Sequence, residues 1–336
     1  VVALVGAGVA VVSCSSESSP GDAGPSSSAA RQPYPQFLDK QTQAVVAYRD
    51  TLRGLDPCGY LDEAAVNRIG TPDYVGADGA FSTCSVMFGE PVGAKEIVSI
   101  SVAMSSRSTG TSGKPVTVGD TTVQVTDSRD FCSAYLPVDD KMSLRFQVTT
   151  KGDLMDRGPK FDLCPETAAI TAAAASHLGD RPLRANSTRA HMNTKLARLD
   201  PCAVLSAFAQ EHPAPYVNPS PNPWECIVNL DWGDNSTGRN IEFSYDSDAK
   251  LTRSPGSHEV ESRIDGLPTL EAPGRRGSTY ADACQIYIGT DPNWAPAKGV
   301  HDRRTEMIMV SVQGGGCDAA RTVATETVRL YKQLPE

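Results

Sequence analysis

The chain has 336 residues, 40% of them hydrophobic, with nine cysteines and a formal net charge of −9. That length suffices for two ordinary domains with cores of their own, and the acidic balance excludes a nucleic-acid binder, which needs a basic surface to displace counterions. No CxxC pair occurs, which removes zinc-ribbon and thioredoxin chemistry.

The first element is VVALVGAGVAVVSC. Gly6 and Gly8 suggest a dinucleotide-binding turn, but the third glycine of GxGxxG is replaced by Val11. The Ser/Pro/Gly stretch that follows supports no helix and no βαβ unit. An uncharged apolar run ending in Val11-Val12-Ser13-Cys14 has instead the form of a lipoprotein signal, residues 1–13, with its charged n-region missing. Cys14 is then the lipidated residue, anchored to a membrane by its acyl chains. Residues 14–36 read as the lipidated cysteine followed by a flexible tether.

Next comes an internal repeat. LRGLDPCGYL, from Leu52 to Leu61, recurs as LARLDPCAVL, from Leu196 to Leu205, with six of ten positions identical at an offset of 144. The other cysteines follow in matched order, Cys58, Cys84, Cys132 and Cys164, then Cys202, Cys226, Cys284 and Cys317. Their successive spacings are 26, 48, 32 and 24, 58, 33. This predicts two similar domains, 37–180 and 194–336, joined by a linker at 181–193. Asp56 and Asp200 are N-caps with Pro57 and Pro201 at N1, so a helix is expected from Asp56 to about Gly70, with a counterpart ending before Pro213.

Five strands are expected in the first half, STCSVMFG, EIVSISVAM, TTVQVTD, FCSAYLPV and SLRFQVTT. Five more follow in the second, ECIVNLDWG, RNIEFSYD, the stretch around HEVESRIDGLPTL, ACQIYIGT and RTEMIMVSV. Each half closes with a helix, CPETAAITAAAASHL or CDAARTVATETVRLYKQL. The fold class is α+β, in the order αβββββα twice, each copy an antiparallel sheet with two helices on one face. Four cysteines allow three pairings in each half. The favoured set joins neighbours in sequence: Cys58–Cys84, Cys132–Cys164, Cys202–Cys226 and Cys284–Cys317.

A lipobox, a Ser-rich tether and L-D-P-C-x-x-L with a downstream cysteine on a strand resemble the uncharacterised actinobacterial "DPC" lipoproteins. The outline is also similar to the extracellular sensor domains of actinobacterial receptor Ser/Thr kinases. The resemblance rests on Asp56-Pro57-Cys58, Asp200-Pro201-Cys202 and the cysteine order, over Leu52–Leu178 and Leu196–Leu334. The usual member carries one such domain and this chain carries two. The resemblance brings no catalytic residues.

No catalytic residue, metal ligand set or cofactor motif stands out. The five histidines form no HExxH spacing, no GxSxG elbow occurs, and His177 reads as a helix-end cation. Gly110-Thr-Ser-Gly113-Lys114 lacks P-loop spacing and reads as a loop between strands, and Asp139-Asp140 and Asp231 with Asp234 read as solvated turns. Tyr216, Trp224, Trp232 and Trp294 form a candidate binding rim in the second half, since exposed Trp and Tyr are common hot spots. The expectation is therefore a non-catalytic lipoprotein outside the cytoplasm. Its partners are the membrane, through Cys14, and an envelope lipid, glycan or protein. A scaffold subunit or an envelope hydrolase are the alternatives.

Overall fold

The structure is a computed structural model that describes residues 34–106, 113–127, 131–151, 161–208, 216–218, 222–229, 238–274, 281–295 and 303–335. The signal segment and Cys14 lie outside these residues. Asp39 accepts hydrogen bonds from the backbone N–H groups of Gln41 and Thr42 and opens helix α1 (Lys40–Arg53). The Asp-Pro-Cys motif then starts a second helical stretch, with the Asp56 carboxylate accepting from the Cys58 N–H at 2.8 Å.

The single helix expected from Asp56 to Gly70 is two short pieces. A 3₁₀ turn (Pro57–Tyr60) ends at extended Leu61, and Asp62 recaps α2 (Glu63–Ile69). A second capping aspartate, Asp62, four residues after Cys58, interrupts the first turn and starts a new one. In the repeat, Asp200 caps a 3₁₀ turn (Pro201–Val204) that runs directly into α4 (Leu205–Phe208), because no second cap intervenes.

Among the described residues six strands follow in the first half and seven in the second, where five were expected in each. The first half holds β1 (Tyr74–Val92), β2 (Ile97–Ser106), β3 (Lys114–Val118), β4 (Thr121–Asp127), β5 (Cys132–Pro137) and β6 (Met142–Thr150), closed by α3 (Cys164–Ala173). After the short β7 (Tyr216–Asn218), the second holds β8 (Glu225–Asn229), β9 (Gly238–Ser247), β10 (Val260–Ile264), β11 (Leu267–Pro273), β12 (Cys284–Gly289) and β13 (Arg304–Val312), closed by α5 (Gly316–Gln333). Beyond β7, the additional strands come from two-residue turns. Lys114, expected in a loop, begins β3, which turns at Gly119-Asp120 into β4. The stretch expected as one strand around Glu261 folds back at Asp265-Gly266, both with positive φ (48° and 83°).

The strands form one antiparallel sheet in the order β10-β11-β12-β13-β9-β1-β2-β6-β5-β4-β3, with β8 and β7 branching from β9. Within the halves the orders are 1-2-6-5-4-3 and 8-9-13-12-11-10, so each half runs the same path. They join where Gly79 and Ala80 of β1 pair with Tyr245 and Ser244 of β9. Gly79, at this junction, has φ +73°, a conformation that suits glycine, and β1 pairs with β2 from Thr83 onward. α3 lies over β4, β5 and β6, and α5 lies over β11, β12 and β13. Their apolar faces and the inward residues of the strands, such as Cys84, Val102, Phe146, Ile286, Ile308 and Val310, belong to one continuous core.

Gln32–Glu336 form a single compact unit, and the halves exchange their leading segments. α1 lies on the second half, where Leu38 and Val46 pack with Cys202, Leu205, Val217, Cys226 and Val228. Tyr34 donates to Asp200 at 2.9 Å, and burial together with that carboxylate pushes its phenol pKa up. Residues 181–193, expected as a linker, are built into the first half, with Arg184 and Met192 both buried. Ala77 N–H donates to Ala190 C=O at 2.9 Å, and Arg184 N–H to Gly54 C=O at 2.8 Å.

Behind this segment, Glu306 of β13 faces Tyr245 across the ladder and binds the Thr194 side chain, and burial raises its carboxyl pKa. A carboxyl raised in the folded state holds its proton better than in the unfolded chain, so it costs stability as pH rises through its titration. Glu306→Gln is therefore expected to melt above the parent at neutral pH and together with it in acid, as read from thermal unfolding at both pH values.

Candidate functional site

A polar groove of about 840 Å³ lies between the Pro57–Tyr60 turn with α2 on one side and residues 177–189 on the other. Its first wall is fixed by the Asp56 cap, the Asp62 cap and the Cys58–Cys84 bridge to β1. The second wall is tied to the first by Asp56 N–H donating to Pro182 C=O at 2.9 Å and by a β-bridge between Leu55 and Leu183. Gly59 allows this approach, since a Cβ there would stand 2.3 Å from the Pro182 side chain.

The buried Arg184 holds the second wall from behind. Its guanidinium donates to the carbonyls of Arg53 (3.2 Å), Met192 (2.6 Å) and Phe81 (2.7 Å). Its Cζ also lies 4.5 Å from the ring centroid of Trp224. Burial pulls its pKa down to about 10, with the charge of Asp56 acting the other way.

The groove carries both signs of charge. The His177 ring stands between Asp180, at 3.3 Å from Nδ1, and Asp62, at 3.6 Å from Nε2. Arg189 is paired with Glu63 across the groove, and Arg181 and the 53% exposed Leu183 line the same wall. Leu61, Glu63 and Arg189 also border a recess of about 140 Å³ whose other walls are Val66, Asn67, Pro72, Val75 and Val86. An apolar cavity of about 150 Å³ admits a benzene-sized group. The arrangement thus offers ionic and hydrogen-bonding partners beside a small apolar slot. Among the described residues no hydroxyl or thiol is hydrogen-bonded to His177.

All eight body cysteines are bridged, Cys58–Cys84, Cys132–Cys164, Cys202–Cys226 and Cys284–Cys317. The aromatic rim expected in the second half is not assembled. Trp224 is fully buried and donates its indole N–H to Ala197 C=O at 2.8 Å, which makes it a core residue where the halves meet. Trp294 is 8% exposed, donates to Asp248 at 2.9 Å, and packs in a separate cluster with Leu251 and Met307. Tyr216 contributes backbone to β7, and Trp232 lies outside the described residues.

Asp139 serves as a turn cap, accepting from the N–H groups of Lys141 and Met142, while Asp231 and Asp234 lie outside the described residues. The SxxK spacing, read as absent from the sequence, does occur at Ser247-x-x-Lys250. Here Ser247 caps a 3₁₀ turn and Lys250 is held by Asp246. Among the described residues no cluster of His, Cys, Asp and Glu is arranged to hold a metal ion, and no helix is long and apolar enough to cross a membrane.

What sequence reasoning missed is the contribution of 181–189. The repeat itself carried a signal for it, since the offset of 144 maps the α1 segment onto residues 184–197, so structure was due there. In class the chain is an α+β protein on one antiparallel sheet, braced by four disulfides. No protein-family model, curated protein or solved structure matches it.

Proposed function

We propose that this protein is an extracytoplasmic lipoprotein, anchored to the membrane through Cys14, that binds an envelope ligand without transforming it. Its body is two tandem copies of one disulfide-stapled domain, akin to the actinobacterial "DPC" lipoproteins it resembles. The duplication is supported by the repeated Asp-Pro-Cys turn, the matched bridges and the shared strand path. The lipobox and the bridges favour an oxidising compartment.

The observation that carries the binding reading is the groove with its apolar recess behind the Glu63–Arg189 pair. A charged floor next to a slot for a small apolar group suits an amphiphile, and of the envelope ligands a lipid fits best. The slot takes a short or branched apolar group, and the headgroup lies among His177, Arg181 and Asp180.

The test is mass spectrometry of lipids that co-purify with the native, membrane-derived protein. Val75→Phe fills the recess from β1 and is expected to lower bound lipid about tenfold or more while the chain still melts cooperatively. Equal lipid on parent and variant removes the groove as the site. Turnover of the bound lipid by the purified protein overturns the non-catalytic reading.

A further inference from the structure

The two ends of the sheet are built differently. β3 and β10 are its outermost strands, and each is one arm of a two-residue hairpin. In such hairpins the residues flanking the turn exchange both backbone hydrogen bonds, and this pairing recurs at every second residue. On β3 the pairs Val118–Thr121 and Val116–Val123 are therefore the bonded ones, which turns Pro115 and Thr117 outward. Pro115 has no N–H to offer, so that edge is blunted.

On β10 the bonded pairs are Ile264–Leu267, Ser262–Thr269 and Val260–Glu271. Glu261 and Arg263 therefore direct their N–H and C=O groups away from the sheet, and neither is a proline. Among the described residues no strand lies on that side. Glu261 and Arg263 are exposed and Val260 is 52% exposed.

We propose that β10 is a self-association edge, pairing antiparallel with β10 of a second copy about a two-fold axis through Ser262. This register sets Glu261 opposite Arg263 of the second copy, twice over, and Val260 opposite its Ile264, so the strand is complementary to itself in charge and in shape. With a net charge of −9, two copies repel over most of their surfaces. Near this edge Arg321 is paired with Glu271 and Lys332 with Asp265, while Arg263 donates to the carbonyls of Gly266 and Pro292.

The experiment is light scattering on the oxidised full chain across a concentration series, combined with cysteine cross-linking. The parent is expected to form a dimer. Glu261→Arg sets like charges opposite one another and weakens it about tenfold or more, and adding Arg263→Glu restores it. Glu261→Pro removes an outward N–H without touching the β11 ladder and also yields monomer. Ser262→Cys sits on the axis with Cα atoms about 4.5 Å apart, so it cross-links through one reducible disulfide, whereas Thr117→Cys on the other edge does not. A parent that stays monomeric at every concentration, a dimer unmoved by Glu261→Pro, or equal cross-linking at Thr117 would overturn the proposal.

Discussion

Arg184→Met is expected to lower the unfolding free energy by about 3 kcal/mol or more, because it leaves buried carbonyls without their charged donor. The carbonyls of Phe81 and Met192 accept from this guanidinium in buried surroundings, and Arg53 C=O accepts from its Nε. Each acceptor left unpaired costs about 1 to 3 kcal/mol, and methionine keeps the packing volume while supplying no donor. The stacking of the guanidinium over Trp224 is lost as well. Arg184→Lys is expected to recover only part of the loss, because one ammonium cannot span three carbonyls set around a planar fork. Denaturant titration of the oxidised protein measures both variants. A loss under about 1 kcal/mol for Arg184→Met would mean that water replaces the guanidinium at little cost. The same substitution is expected to weaken ligand retention in the groove, since Arg184 lies directly behind the Pro182–Leu183 wall.

The role of Arg184 also marks the boundary of what the sequence discloses. The Asp-Pro-Cys turns, the order of the cysteines and most strands were legible, because each rests on a local rule: a capping carboxylate, an N1 proline or an alternating apolar pattern. β3 was hidden because its five residues show no buried alternation, as befits an edge strand that packs on one neighbour only. The exchange of leading segments was hidden for another reason. Arg49 donates to the backbone carbonyls of Asn222 and Pro223, more than 170 positions away in the chain, and a carbonyl leaves no mark on the residue type that bears it. The groove inherits this invisibility. His177, Asp62 and Arg189 are ordinary surface residues until the exchange brings residues 177–189 against the first Asp-Pro-Cys turn. The tryptophans misled in the opposite sense. Trp224 stands out in a Pro-rich stretch but spends its ring in the core, 6.1 Å from Phe81 where the halves meet.

The covalent braces are expected to have the largest effect of all. The four bridges close segments of 26, 32, 24 and 33 residues. In the chain-entropy model each contributes about 3.5 kcal/mol by restricting the unfolded chain, so together they approach about 14 kcal/mol. A folded protein of ordinary stability holds about 5 to 15 kcal/mol in all. Full reduction is therefore expected to unfold the body at ambient temperature, seen as loss of near-ultraviolet dichroism after treatment with a thiol. Removing one bridge, by Cys132→Ser with Cys164→Ser, is expected to cost about 3 kcal/mol and leave the fold standing. That pair ties β5 to the start of α3, away from the groove. The matching change at Cys58 and Cys84 removes a bridge from the groove wall itself and is expected to cost a similar amount and to weaken the proposed lipid binding too. A reduced chain that keeps its near-ultraviolet signal would show that the continuous sheet and its core suffice alone, and would remove the main physical argument for an oxidising compartment.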